Sequence, residues 1–249
     1  MTESMRTVRV PVVLAPVGVL VGVVVFVALL FVLPVLVAVL AGVLAGVAVA
    51  VVLYLRSEAA VIGSMRLRVV DEDDEPRLHN MIDGLCDSHG FRRPTLAIID
   101  DPARNAVVFG RRHDRVTLAI TAGLRDALTR MELEGLLARE LALATHRSLP
   151  GATVMVPVLT LLPGSLRERV VIWLLGEHRA MLDDFGAVRF TRYPPGLAGA
   201  LDKLADASTV VAGAGRTSGH LWVAPPIDAS VQASDQPTIH TRAAALREL

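Results

Sequence analysis

A glutamate inside a helical segment is the best candidate of this chain for chemistry, yet its neighbours are the wrong types. Glu140 lies between Arg139 and Leu143 in the segment 131–146. Residues i and i+4 share one helix face, so histidines at both flanking positions would bind one zinc ion while the glutamate activates its water. Arginine does not deprotonate to bind a metal, and leucine has no lone pair. The segment therefore keeps the position of a general base without the two adjacent ligands.

Histidines elsewhere offer an alternative arrangement. His146 follows Arg139 by seven residues and lies on the same helical face. Together with Glu140, Asp183 and His178 it would supply the oxygen and nitrogen donors of a shifted metal site. The competing interpretation is that these histidines are isolated side chains and that Glu140, without a metal, has a structural role.

Composition and charge narrow the class of protein. Of 249 residues, 53% are hydrophobic, which exceeds the usual share in a soluble domain. The 25 basic and 25 acidic side chains balance, so bulk electrostatics argue against a nucleic-acid partner. Cys86 is the only cysteine, which excludes an intramolecular disulfide.

The apolar excess is concentrated near the N-terminus. Residues 10–55 include no charged side chain. One membrane-spanning helix needs about 20 residues, so this run is long enough for two. Pro34 interrupts it near the middle, where proline removes a helical donor. We predict a transmembrane hairpin with helices at about 11–30 and 35–54; the alternative is one long tilted span followed by an interfacial stretch.

Arginines flank this run on both sides. Arg6 and Arg9 precede it, and Arg56, Arg66 and Arg68 follow it. Cytoplasmic segments are enriched in such side chains, so both ends of a hairpin are expected in the cytoplasm. The prediction is an integral protein of the cell membrane, in contact with the lipid bilayer, whose C-terminal domain is cytoplasmic.

The chain divides into four parts, with these bounds: a tail at 1–9, the hairpin at 10–55, an acidic linker at 56–75 and a globular domain at 76–249. In the domain, a helix is predicted from Pro76 to near Gly90. Apolar runs bounded by turn residues predict three strands, at 94–100, 105–110 and 116–121. Helices are predicted over 123–128 and 131–146, the second opened by a capping box.

The order of short motifs resembles that of a known family. They are Pro-Arg-Leu-His-Asn at 76–80, Ile-Ile-Asp-Asp-Pro at 98–102, Asn-Ala-x-x-x-Gly at 105–110, Thr-Ala-Gly-Leu at 121–124, Glu-Leu-Glu-Gly-Leu-Leu-Ala-x-Glu-Leu at 132–141 and Leu-x-Asp-x-x-Ala-Val at 182–188. Together they resemble the M48 family of membrane-anchored metallopeptidases, in its HtpX-like branch. The resemblance implies an α+β, zincin-like peptidase domain attached to the N-terminal hairpin.

The resemblance also implies a zinc site, which this sequence departs from. The family's three ligand positions correspond here to Arg139, Leu143 and Ala180. The catalytic glutamate is kept as Glu140, and an aspartate that supports a ligand histidine is kept as Asp184. A C-terminal family motif retains its proline and arginine, the latter as Arg242. No zinc or other cofactor is therefore expected.

Loss of the ion leaves carboxylates without their compensating charge, which is costly in a partly buried cleft. Arg139 is a permanent cation whose planar fork suits a carboxylate. We therefore expect Arg139 to pair with Asp184, with Glu140 as a second partner, while Leu143 and Ala180 fill the remaining space. The alternative places Arg139 in solvent.

These departures favour a non-enzymatic role. The main hypothesis is a pseudopeptidase that binds a membrane-protein partner or is a subunit of a membrane complex, with the oligomeric state left open. The strand that begins at Asn105 would lie at a sheet edge, where a peptide can add as an extra strand. The alternative is an active M48-type metalloendopeptidase with atypical ligands in membrane-protein quality control. The apolar stretch 151–163 is too short to span a bilayer and is interpreted as an interfacial or packed remnant.

Overall fold

Two apolar helices open the structure, a computed structural model that describes residues 7–176, 178–227 and 237–249. They are α1 (Val10–Leu29) and α2 (Val35–Ile62), and Pro34 is the N-cap of α2. Both are long and apolar enough to cross a membrane. Large side chains on their outer faces are exposed, as in Val19 at 65% and Leu36 at 71%. An exposed surface of this kind is suited to lipid rather than water, and the protein is membrane-associated. Arg6 lies outside the described residues.

The two helices pack closely because glycines face each other. A Cβ atom on Gly42 would lie 2.6 Å from the carbonyl oxygen of Gly22. Gly46 meets the carbonyl oxygen of Gly18 in the same way. Small residues at such contacts allow helix backbones to approach each other in a membrane.

Helix α2 extends further than the uncharged run predicts. The segment assigned to a linker from residue 56 is helical as far as Ile62, and β1 (Leu67–Val69) follows within the same segment, so the predicted linker 56–75 is wrong in its first part. Ser57 and Val61 are fully buried, and the amide of Gly215 donates to the carbonyl of Val61 at 3.3 Å. The end of the lipid-facing run therefore does not end the helix, because the domain packs against its last turns.

A four-stranded sheet forms the centre of the domain, with the order β1-β2-β4-β3. The further strands are β2 (Thr95–Ile99), β3 (Ala106–Arg112) and β4 (Arg115–Thr121). β2 and β4 are parallel, while β1 and β3 pair antiparallel with β2 and β4, respectively. Strands β2, β3 and β4 confirm the three predicted strands. Strand β1 has only three residues, which is too short to show a periodic pattern.

Eight further helices surround the sheet in the described part of the chain: α3 (Pro76–His89), α4 (Ala122–Ala127), α5 (Arg130–Thr145), α6 (Leu149–Thr160), α7 (Gly164–Leu175), α8 (Arg179–Thr191), α9 (Pro194–Ala205) and α10 (Ile239–Arg247). Helix α3 ends at Gly90, whose φ of +67° is left-handed. The predicted capping box opens α5, with Glu132 accepting from the amide of Thr129.

Helix α5 is the central element of the α+β core. Leu133, Leu136, Leu137 and Leu141 are all buried, and the helix packs against β3, β4, α8 and α9. Helix α6 is buried along nearly its whole length between the hairpin and β3. The stretch 151–163 is thus mostly packed inside the protein, and its interfacial alternative is not what the structure shows.

Candidate functional site

The centre of the candidate site is a buried arginine on α5. Only 1% of Arg139 is exposed. Its Nε donates to Oδ1 of Asp184 at 2.7 Å, and its Nη1 donates to Oε1 of Glu140 at 2.5 Å. The expected pairing is confirmed, and the alternative with Arg139 in solvent is wrong. Helix α8 makes this contact possible because it packs beside α5 and carries Asp184 inward.

A second arginine also donates hydrogen bonds to Asp184. Arg242, on α10, donates from Nε to Oδ2 of Asp184 at 2.6 Å and from Nη2 to Oδ1 at 2.8 Å. Its Nη1 donates to the carbonyl of Val223 at 2.6 Å. Burial alone would raise the pKa of Asp184, but the charges of Arg242 and Arg139 outweigh it and hold that pKa below its ordinary value.

A third arginine and a third carboxylate adjoin this pair. Arg179 and Asp183 lie one turn apart on α8, with Nε and Oδ2 separated by 3.6 Å. Oδ2 of Asp183 is also 4.0 Å from Nη2 of Arg139. We call these six side chains the arginine–carboxylate cluster: Arg139, Arg179, Arg242, Glu140, Asp183 and Asp184. Three cations face three acids, so the buried cluster is neutral when all are ionised. The i, i+4 spacing of Arg179 and Asp183 is typical of an ion pair on one helix, and it is visible in the sequence.

Two members of the cluster are incompletely satisfied: among the described residues, neither Oε2 of Glu140 nor Nη2 of Arg179 has a hydrogen-bond partner. Glu140 is fully buried. Burial raises the pKa of Glu140 and outweighs the opposing charge of Arg139. Burial alone would lower the pKa of Arg139. The negative charges of the adjacent Glu140, Asp184 and Asp183 outweigh burial and raise this pKa. Arg139 therefore stays charged, while Glu140 holds a proton more readily than a solvent-exposed glutamate does.

The residues present do not fit a zinc ion at this place. A zinc site needs three or four nitrogen, sulfur or oxygen ligands. Leu143 is buried and Ala180 half-buried, but neither side chain has a donor atom, and the guanidinium of Arg139 is bonded to the retained carboxylates. Within residues 7–176, 178–227 and 237–249, no three His, Cys, Asp or Glu side chains are grouped to hold a metal.

The alternative site around His146 is not assembled either. Nδ1 of His146 lies 2.5 Å from the hydroxyl of Ser148, and burial lowers the pKa of this imidazole. His178 is exposed at the start of α8. The structure therefore does not bring these two histidines together with Glu140 and Asp183 as metal ligands.

Asn105 has a structural role at the start of β3. Its side-chain amide donates to the carbonyls of Thr209 and Ala224, each at 2.9 Å. The segment that follows residue 220 then covers the outer edge of β3: Val107 and Trp222 form an antiparallel bridge. β3 is the edge strand of the sheet, as expected, but a later segment of the same chain already pairs with its first residues.

Comparisons with known proteins place relatives across most of the chain. No family model matches it. A protein named protease HtpX homolog from Dictyoglomus turgidum is 26% identical over 231 residues, covering 78% of this chain and 76% of the relative. Another of that name, from Tropheryma whipplei strain Twist, is 28% identical over 213 residues, covering 72% and 73%. A third, from Thermococcus sibiricus, is 35% identical over 94 residues, covering 38% and 32%.

Proposed function

Since this chain is an HtpX-like protein of the M48 peptidase family, we propose that it is a membrane-anchored pseudopeptidase. It keeps the peptidase fold, holds no zinc, and binds a membrane-protein partner or is a subunit of a membrane complex. The observation that carries the proposal is the buried Arg139 in the place of the first zinc ligand, paired with both retained carboxylates.

The chemistry of Arg139 explains why catalysis is lost. In a zinc peptidase the helix glutamate takes a proton from metal-bound water. Here Oε1 of Glu140 accepts a hydrogen bond from Arg139, and the three ligand positions offer no donor for the ion. The guanidinium supplies the positive charge that the carboxylates need without creating a nucleophile. Retention of Glu140 and Asp184 is then explained by their partnership with an arginine.

Metal analysis with a proteolysis assay tests this proposal. The full chain is purified in mild detergent, its zinc content is measured, and casein cleavage is compared with that of the Glu140→Gln variant. We expect far less than one equivalent of zinc and no cleavage that depends on Glu140. One equivalent of zinc, together with cleavage abolished by the substitution, would refute the proposal.

One observation favours the second candidate, an active metalloendopeptidase with atypical ligands in membrane-protein quality control. Oε2 of Glu140 lacks a partner among the described residues, and this is the kind of free oxygen that a general base uses. Against it stand the hydrogen bond that engages Oε1 of Glu140 with Arg139 and side chains without donor atoms for a metal at the positions Leu143 and Ala180. The zinc and casein measurements distinguish the two candidates.

The domain is proposed to face the cytoplasm. Arginines flank both ends of the uncharged run, which is the pattern of a hairpin with both ends inside. Ser208 is exposed in the domain, and the native Cys86 is buried. A Ser208→Cys variant should therefore resist a membrane-impermeant thiol reagent in intact cells and react after permeabilisation. Labelling in intact cells would contradict the proposed orientation.

Partner binding does not use strand addition in the state described. The amide of Val223 donates to the carbonyl of Ala106 at 3.0 Å, and the amide of Gly110 donates to the hydroxyl of Thr153 at 3.0 Å. These bonds engage backbone groups of β3 that an added peptide would need. We therefore assign partner binding to the hairpin and the outer surface of the domain. Co-purification in mild detergent separates the two forms of the proposal: a fixed stoichiometry indicates a complex subunit, and a varied set indicates client binding.

A further inference from the structure

A large groove lies at the base of the hairpin, on the domain side. Its volume is about 1160 Å³. Four segments contribute most of its walls: the start of α1 at 7–11, the turn at 89–94, the β3–β4 turn at 111–114 and the end of α5 at 144–147. We call it the basal groove. It is separate from the arginine–carboxylate cluster, none of whose residues lines it.

The lining of the basal groove is strongly basic. It contains two histidines, His89 and His113, and a single acid, Asp114. Six arginines line it: Arg9, Arg92, Arg93, Arg111, Arg112 and Arg147. Asp114 is already occupied, because Arg112 donates to both of its oxygens, at 2.8 and 2.7 Å. The groove therefore has a large excess of positive charge.

Three of the arginines are available to a ligand. Arg93 and Arg111 lie near acids outside the groove, at 3.0 Å from Asp83 and 3.5 Å from Glu58. The others are exposed, and within the described ranges their side chains form no ion pair or hydrogen bond; they are Arg9, Arg92 and Arg147. Unpaired guanidinium groups around one concavity favour an anion with several oxygens, because each fork can bind two of them.

The groove lies at the level where the hairpin leaves the apolar layer. Arg9 immediately precedes α1, which begins at Val10. Elsewhere in the lining, Nη1 of Arg111 donates to the carbonyl of Leu55 at 3.0 Å, and its guanidinium lies 5.5 Å from the centre of the Tyr54 ring. Leu55 is the last residue of the uncharged run. Arginine and tyrosine are typical of the headgroup level of a bilayer.

We propose that the basal groove binds the phosphate-bearing headgroup of an anionic phospholipid from the surrounding membrane. Charge favours an anion, and position favours a lipid over a soluble ion, since the groove opens beside the helices that enter the bilayer. With Asp114 engaged by Arg112, the lining has no free carboxylate to attract the cationic part of a zwitterionic headgroup. The proposal rests on the membrane insertion of the hairpin and goes beyond the pseudopeptidase function.

Lipid titration of the purified full chain tests the proposal. The protein in zwitterionic detergent is titrated with phosphatidylglycerol or phosphatidylcholine, and bound lipid is counted by native mass spectrometry. A basic side chain near an anionic surface contributes roughly five-fold in affinity. The triple variant Arg9→Gln, Arg92→Gln, Arg147→Gln should therefore bind phosphatidylglycerol about 100-fold more weakly. A matched variant replaces three exposed arginines away from the groove and should bind as the wild type does: Arg77→Gln, Arg130→Gln, Arg192→Gln.

Several outcomes would overturn the proposal. Equal affinity for phosphatidylcholine would remove the role of charge, and equal competition by inorganic phosphate or an acidic peptide would remove the role of the membrane. An equal loss in the matched variant would show that net charge, not the groove, is responsible. Alkaline extraction tests the membrane insertion of the hairpin separately from lipid binding by the groove. Release of the protein from membranes would refute the insertion of the hairpin. A protein that stays embedded but does not prefer phosphatidylglycerol would refute the basal groove proposal alone.

Discussion

Removing Arg139 tests the arginine–carboxylate cluster most directly. The Arg139→Ala variant leaves Asp184 with only Arg242, and it leaves Glu140 buried without a hydrogen-bond partner among the described residues. Three acids then face two cations. Breaking a buried ion pair from one side costs roughly 3–5 kcal/mol, because a charge remains without compensation. We expect a loss of this size in the free energy of unfolding.

The Asp184→Ala variant and the double variant with both substitutions provide the decisive comparison. Asp184→Ala removes the partner of both Arg139 and Arg242, so its cost should be at least as large. In the double variant two cations face two acids again, and charge balance is restored. The double loss should therefore be smaller than the sum of the single losses, by about 1–3 kcal/mol, as for residues in one network.

Chemical unfolding of the full chain in detergent measures these energies. The exposed pair of Arg68 and Asp74 is a matched control, since its 2.7 Å separation equals that of Arg139 and Asp184. An exposed pair contributes about 1 kcal/mol or less, so Arg68→Ala should have a small effect. Strictly additive losses for Arg139→Ala and Asp184→Ala would refute the reasoning, because independent sites do not share a buried charge balance.

Three further predictions concern the acid, the ligands and the hairpin. The raised pKa of Glu140 means that the native state holds its proton more tightly than the unfolded chain does. Glu140 therefore lowers the stability of the protein as pH rises from the ordinary carboxyl pKa through the raised one, and pH-dependent unfolding should show this loss in the wild type but not in Glu140→Gln. Restoring the ligand set by Arg139→His, Leu143→His and Ala180→Glu should give about one bound zinc ion, and metal analysis that finds none would contradict the assignment of these positions. Gly42→Val should clash with the backbone of α1 and destabilise the hairpin by about 1–3 kcal/mol; an unchanged unfolding temperature would contradict the close contact.

Local patterns predicted most of the secondary structure because they depend on neighbouring residues. The uncharged run broken at Pro34 predicts two helices, and the structure has both. Alternating and continuous apolar runs predict β2, β3 and β4, and the capping box at Thr129 predicts the start of α5. Hydropathy alone, however, placed the end of α2 too early, since its last turns are held by the loop around Gly215.

The pairing of Arg139 with Asp184 was predictable for a different reason. Both positions were tied to one metal site by the resemblance, so a cation that replaces a ligand is expected to meet the carboxylates that remain. Arg242 was singled out from the resemblance, but its contact with Asp184 was not predicted. Arg179 was missed: its i, i+4 spacing from Asp183 is visible in the sequence, but only the packing of α8 against α5 brings this pair beside Arg139.

The sequence by itself therefore determined the hairpin and the main strands and helices, and with the family resemblance it predicted the pairing of Arg139 with Asp184. Tertiary structure alone decided three other features: the burial of α6, the covering of β3 by the segment near Trp222, and the gathering of arginines into the basal groove. The physical reason is distance along the chain. Helix and strand patterns arise among neighbours, whereas these contacts join residues far apart in sequence and form only when the whole domain packs.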